Sequence, residues 1–173
     1  MQFFSGFSLQ NDAAFFREFI QESDFCVCGF SYGAIKAFEY TQQLLNEGKR
    51  VDTLQLFSPA FFQSRDAKFK RLQTMSFKRS ADAYIKQFIA SCFLPYGVGD
   101  VELAEGSMEE LNELLNYVWD KNAFKELASK GVVIEVYLGG EDRIIDVNAA
   151  REFFLDVATV TYIKEANHFL QLS

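Results

Sequence analysis

Phe25-Cys26-Val27-Cys28-Gly29-Phe30-Ser31-Tyr32-Gly33-Ala34-Ile35 is the stretch that decides how this chain is read. Phe25 to Cys28 is a short apolar run of the kind that forms a buried strand. Gly29-Phe30-Ser31-Tyr32-Gly33 fits the pattern G-x-S-x-G. Beyond it, Ala34, Ile35, Ala37, Phe38, Leu44 and Leu45 recur at helical spacing, and Gly48 closes the segment. A strand, this pentapeptide and a helix in succession make a nucleophile elbow. The turn is so tight that a side chain at either glycine collides with a neighbouring strand or helix. The serine is held in a strained conformation with its hydroxyl exposed above the start of the helix. The pentapeptide fixes only three residues, so a chance match is the competing reading. The strand before and the helix after make Ser31 a candidate nucleophile.

The 173 residues suffice for one domain with a real core. Apolar residues make up 49% and Phe alone supplies 20, which predicts a compact globule. No apolar run reaches membrane-span length. Met1-Gln2-Phe3-Phe4-Ser5-Gly6 lacks the basic start and long apolar core of a secretory signal. Cys26, Cys28 and Cys92 are odd in number, and the first two share one face of the predicted strand. No Cys/His set completes a metal site, so they read as small buried residues in a reducing cytoplasm. The net charge of -7 argues against nucleic acid as the main partner.

Around the elbow the chain alternates. Met1 to Phe4 reads as a strand and Gly6-Phe7-Ser8 as a turn. Asn11 is placed to cap a helix carrying Ala14, Phe15, Phe19 and Ile20. Val51, Leu54, Leu56 and Phe57 form a strand ended by Ser58-Pro59. From Phe62 to about Ser129 there is no strand signal. That segment carries Phe69, Leu72 and Met75, then a helix capped by Ser80, then a capping box at Ser107-Met108-Glu109-Glu110. It reads as an all-helical insertion at about 62–130 within a single domain spanning 1–173. Val132 to Leu138 is a strong strand and Gly139 to Ile145 a loop. Asp146 caps a helix, Val160 to Ile163 is a last strand, and Asn167-His168 lies just beyond it. Strands alternating with helices predict an α/β fold with a mostly parallel sheet.

A serine nucleophile needs a base, and the base an orienting acid. The only histidine is His168, so it serves Ser31 or no imidazole does. It follows the last strand, on the sheet edge where the elbow also opens, because parallel strands share one C-terminal edge. Asp142, four residues past Leu138, belongs to that edge. Asp146 is the rival, but its place before Val147 explains it as a helix cap. The order Ser31, Asp142, His168 is the chain order of the α/β-hydrolases. The oxyanion needs two backbone N–H donors. Tyr32, the residue after the nucleophile, supplies one; the loop after the first strand should supply the other, through Phe7.

Phe3-Phe4-Ser5-Gly6-Phe7, Gly29 to Ala37, Leu56-Phe57-Ser58-Pro59, Phe69-Lys70-Arg71-Leu72-Gln73 and Asn167-His168 together resemble the BioV-type pimeloyl-acyl-carrier-protein methyl ester esterases of Helicobacter and its relatives. The resemblance runs from end to end. It implies a minimal α/β-hydrolase with about five parallel strands in sequential order, flanking helices and a helical lid. Gly6 and Ser31 are only 25 residues apart, where an ordinary member of the fold has a further strand and helix. The resemblance also implies an activity, removal of the methyl group from a pimeloyl-carrier methyl ester early in biotin synthesis. Ser31, Asp142 and His168 carry over as the triad. Ser5 departs from common hydrolases, in which a His often precedes the oxyanion-loop Gly, and this leaves the oxyanion loop the least defined part of the site.

Such chemistry needs no metal or redox cofactor. A general carboxylesterase or thioesterase for small esters is the first rival reading, and a non-catalytic hydrolase-like binding module the second. The insertion is expected to cover Ser31 and line an acyl channel with some of Phe69, Leu72, Met75, Phe77, Tyr84, Phe88, Leu111, Leu115 and Trp119. The implied partner is an acyl carrier protein, which is acidic. Arg65, Lys68, Lys70, Arg71, Lys78 and Arg79 face a single acid, Asp66, and give this stretch a local +5. Asp100 to Glu126 holds eight acids against Lys121 and Lys125. The basic run is therefore the candidate carrier-docking rim, although a solvated helix face would read the same way.

Overall fold

A computed structural model describes residues 1–173. Two apolar runs, at Cys26–Phe30 and Thr53–Phe57, are buried along their whole length, as strands covered on both faces must be. They form the centre of a five-stranded parallel sheet. In chain order its strands are β1 (Gln2–Phe4), β3 (Cys26–Phe30), β4 (Thr53–Phe57), β6 (Val133–Gly139) and β7 (Thr159–Ile163), and they lie side by side in that order. A separate antiparallel ribbon joins β2 (Leu9–Gln10) to β5 (Glu102–Leu103).

The helices are α1 (Tyr32–Asn46), α2 (Ala67–Arg79), α3 (Ala81–Phe93), α4 (Met108–Asn116), α5 (Lys121–Ser129) and α6 (Val147–Leu155). On one side of the sheet α1, α5 and α6 meet through aromatic side chains. Phe38 lies 4.4 Å from Phe124 and 5.5 Å from Trp119, and Phe124 stands edge-on to Phe154. The other side is covered by the 3-10 turn Asp12–Phe16, whose Phe16 stacks on Phe57 at 4.7 Å, and by Phe169 against Phe30. The twenty phenylalanines are thus mostly the cement between sheet and cover.

The insertion between β4 and β6 has its helix ends satisfied, at α3 and α4 by the caps expected from the sequence and at α2 and α5 by two aspartates that the sequence reading did not name as caps. Asp66, Ser80 and Asp120 cap α2, α3 and α5, and Ser107 with Glu110 forms a capping box at α4. It is not all-helical, however. β5 leaves the helices to pair with β2, with Ala104 N–H donating to Ser8 O at 2.9 Å. Two residues are too few to show a period of two, so the sequence does not announce this strand. It also redirects Asn11. That residue is left-handed (φ 59°), caps nothing, and gives its side-chain amide to Glu102. Val51 is buried but lies before β4 rather than in it. Cys26 and Cys28 share a face of β3 with their sulfurs 4.0 Å apart, and all three cysteines are buried and unpaired. No helix is long and apolar enough to cross a membrane.

Candidate active site

Ser31 sits between β3 and α1 at φ 53°, ψ -113°, a conformation that L residues avoid. Neighbouring backbone holds it there. Its N–H donates to Phe57 O at 2.9 Å, and its carbonyl accepts from Ala34 and Ala60 N–H at 3.1 Å each. The flanking glycines are required by contact. A Cβ on Gly33 would lie 2.0 Å from Phe4 O, and one on Gly29 would lie 2.1 Å from Gly33 O. The hydroxyl is not exposed as the elbow motif suggests. Ser31 is only 4% accessible, and its Oγ faces the imidazole.

His168 Nε2 is 3.0 Å from Ser31 Oγ, and its Nδ1 is 2.5 Å from Asp142 Oδ2. A carboxylate only accepts, so Nδ1 carries the proton and Nε2 is left to accept from the serine hydroxyl. The other oxygen of Asp142 accepts from Ile144 and Ile145 N–H at 2.8 and 3.2 Å, which fixes the carboxylate plane. Asp146 instead caps α6 through Ala149 N–H and accepts from Ser64 Oγ at 3.0 Å. The two loops that bring acid and base together touch backbone to backbone. A Cβ on Gly139 would lie 2.3 Å from Asn167 O, and one on Gly140 would lie 2.2 Å from Lys164 O. Asn167, fully buried, ties the His168 loop to α3 by donating to Phe93 O at 3.0 Å. Sequence reading missed both supports; the Gly139-Gly140 doublet at a strand end was the available signal.

The loop Gly6-Phe7 follows β1, whose last carbonyl, Phe4 O, packs against Gly33 of the elbow. Phe7 N–H has no intramolecular partner. Tyr32 is the first residue of α1, so its N–H lies outside the helical ladder. Neither N–H is thus committed to a helix or strand partner. Gly6 N–H donates at 2.9 Å to Asp12, a buried carboxylate whose pKa is pushed up by burial, against the hydrogen bond from Gly6. The Phe7 ring is pinned between Phe77 and Phe88. Asp12 is a second residue that sequence reading did not single out.

No family model and no curated protein matches the chain by sequence. Solved structures match it by shape. A hydrolase from Oleispira antarctica superposes with TM-score 0.63 at 9% identity, over 85% of this chain and 59% of that one. The naproxen esterase of Bacillus subtilis gives 0.53 at 17% identity, over 85% and 54%. BioG from Haemophilus influenzae gives 0.56 at 11% identity, over 98% and 88%. The fold is that of the α/β-hydrolases. Against the first two neighbours the chain spans between half and three-fifths of their length, whereas BioG is matched over nearly its whole length.

In this α/β-hydrolase fold the inserted helices enclose a cavity together with Arg143 and Ile144, the residues that follow Asp142. It measures about 250 Å³ and opens between α2, α3 and α4. Of the aromatic and aliphatic residues expected there, Phe69, Tyr84, Phe88 and Leu115 do line it. Leu72 and Met75 face solvent instead, and Phe77, Leu111 and Trp119 are packed in the core. α4 is also latched to the elbow helix. The Tyr32 hydroxyl donates to Glu113 at 2.6 Å, and Lys36 donates to the other oxygen of the same carboxylate at 2.6 Å. Partial burial and the Glu113 contact push the Tyr32 phenol up to about 12. Lys68, Arg71, Lys78 and Arg79 are exposed, Arg65 and Lys70 half-buried, and none of the six forms an ion pair. No three His, Cys, Asp or Glu side chains converge as a metal site.

Proposed function

We propose that this protein is a serine carboxylesterase. The carrying observation is the unbroken relay from Ser31 Oγ through His168 to Asp142, at 3.0 and 2.5 Å. His168 Nε2 takes the serine proton as Oγ attacks the ester carbonyl. The Tyr32 and Phe7 N–H groups receive the oxyanion, each contributing roughly 3 kcal/mol in comparable sites. The alcohol leaves with the proton from His168. Water, deprotonated by the same nitrogen, then cleaves the acyl-serine and releases the acid. Asp142 keeps the imidazole in the required tautomer and offsets its charge while it is protonated.

The substrate we propose is the methyl ester of a pimeloyl group on an acyl carrier protein. Support comes from the end-to-end resemblance described above, from the cavity that adjoins the Asp142 loop, and from the unpaired basic residues on α2 that suit an acidic carrier. BioG, matched over almost its full length, is in keeping with so short a member of the fold. The test is growth. Wild type should restore a biotin-requiring strain that lacks its own esterase, and Ser31→Ala should not. Purified enzyme should release methanol from pimeloyl-carrier methyl ester. Broad p-nitrophenyl ester turnover without complementation would reduce the reading to a general esterase.

A further inference from the structure

One wall of the cavity between α2, α3 and α4 touches the triad directly, through Ile144, and two others adjoin residues that carry the candidate oxyanion N–H groups. Phe88 meets Phe7 edge-on at 5.8 Å, Ile144 donates its N–H to Asp142 at 2.8 Å, and Leu114 follows Glu113, which holds the Tyr32 hydroxyl. At about 250 Å³ the space falls below the ~300 Å³ at which sites for drug-sized ligands begin, and it suits a short unbranched chain. Its polar lining is unbalanced. Arg65 and Arg143 line it, and no Asp or Glu does. Gln73 and Tyr84 satisfy each other at 2.9 Å, and Ser91 donates to Gln87 O at 2.9 Å. Neither arginine joins an ion pair, although the chain carries a net charge of -7. Arg65 Nε is shut off from solvent with no acceptor, while its guanidinium lies 5.3 Å from the Phe69 ring. A buried donor on a permanent cation is costly unless something accepts from it. A guanidinium group matches an oxyacid in both charge and geometry, and two of them line this one cavity.

We infer that this cavity binds an acyl chain bearing an oxyanion at the end remote from the reacting ester, and that Arg65 and Arg143 hold that anion. The inference deepens the esterase reading and rests on it for the position of the ester. It names the substrate class as esters that are also anions: half-esters of dicarboxylic acids, or acyl groups that continue into a phosphorylated arm. Carboxylate and phosphate present the same acceptor oxygens, and the two sources separate by experiment.

Monomethyl pimelate is compared with dimethyl pimelate, and the phosphopantetheine thioester of monomethyl pimelate with its pantetheine counterpart. Wild type should favour the charged member of at least one pair by about tenfold or more in kcat/KM, chiefly through KM. The first pair reports a carboxylate and the second a phosphate. Arg143→Gln and Arg65→Gln should each bring that ratio towards one; a ratio cancels any general loss of activity, and exposed Arg143 guards against a folding failure at Arg65. Equal rates within both pairs, or a preference that survives Arg143→Gln, overturn the inference. If wild type hydrolyses no ester, the esterase reading fails separately. Calorimetry of monomethyl pimelate and of inorganic phosphate on Ser31→Ala protein then decides the cavity alone. Binding of either that Arg143→Gln abolishes supports the anion site, and no binding of either removes it.

Discussion

The sheet edge that carries Ser31, Asp142 and His168 and the inserted helices beside it are held in different ways. β3 and β4 are buried throughout, and around them the backbone approaches so closely at Gly29, Gly33, Gly139 and Gly140 that a single methyl group does not fit. α2 buries only Phe77 and leaves Leu72 and Met75 at 51% and 57% exposure. Hard-sphere contact admits one arrangement of the triad. The insertion is anchored by buried side chains of α3, α4 and α5 and by end caps worth about 1 kcal/mol each, while α2 is its most exposed helix. A proton relay needs tolerances of tenths of an ångström; an acyl chain needs a surface that yields to it.

The deepest break in this contrast should come from Ser31→Ala. Ester hydrolysis should fall more than about a thousandfold while the melting temperature holds, since the hydroxyl carries proton chemistry rather than packing. Residual turnover above about a thousandth of wild type would exclude Ser31 as the nucleophile. His168→Ala should be nearly as inactive.

Asp142→Asn should cost about 10²–10⁴-fold in kcat, because the amide no longer enforces the tautomer. Asp146→Asn should leave activity within about twofold and change only the cap of α6, costing about 1 kcal/mol or less in a denaturation curve. The reverse ranking would move the acid to Asp146.

Gly33→Ala sets the two regions side by side. Its Cβ would need to displace Phe4 O, 2.0 Å away, so β1 must shift and the protein should lose more than about 3 kcal/mol in urea unfolding. Leu72→Ala on α2 should stay within about 0.5 kcal/mol of wild type. Comparable losses would mean that the insertion is as tightly built as the sheet.

The basic face of α2 is sharpened by charge reversal. Lys70→Glu with Arg71→Glu should raise KM for carrier-bound substrate relative to a small ester by about tenfold at low salt. Salt should have the same effect on wild type, because exposed charges are screened over about 8–10 Å at physiological ionic strength. An unchanged ratio places docking elsewhere.

The smallest effect concerns the latch between the regions. Partial burial on its own would raise the Glu113 pKa, but hydrogen bonds from Lys36 and Tyr32 outweigh it and hold the carboxyl below its ordinary 4.5. A depressed folded-state value gives stability that is present above the unfolded pKa and lost as pH falls through the folded one. Glu113→Gln should therefore cost about 1 kcal/mol or less at pH 7, and this difference should shrink as pH falls below about 4.5. A difference that stays constant with pH would mean that the latch acts through packing rather than charge.

Much of the frame was legible because its signals are local. The apolar runs of β3, β4 and β6, the caps at Ser80, Ser107 and Asp146, and the elbow pentapeptide each fall within a dozen residues. A single histidine left no choice of base. Other features were not legible because their partners are far apart in the chain. Glu113 is 81 residues from Tyr32, Asn167 is 74 from Phe93, and Arg143 meets Arg65 only across a cavity. Asp12, six residues from Gly6, is closer, yet nothing in its neighbours shows that its carboxylate turns back into the oxyanion loop.

Periodicity, turn chemistry and residue type by themselves determined the five strands of the parallel sheet, the elbow helix and the identity of three residues that would share the sheet's C-terminal edge. Those properties follow from each residue's own backbone preferences and from the spacing of its neighbours. Tertiary structure alone decided that Ser31 is covered rather than open, that two residues of the insertion pair with Leu9 and Gln10, and that Arg65 and Arg143 line one cavity that no Asp or Glu lines. Burial and charge pairing depend on which distant surfaces meet, and a one-dimensional pattern carries no distance between them.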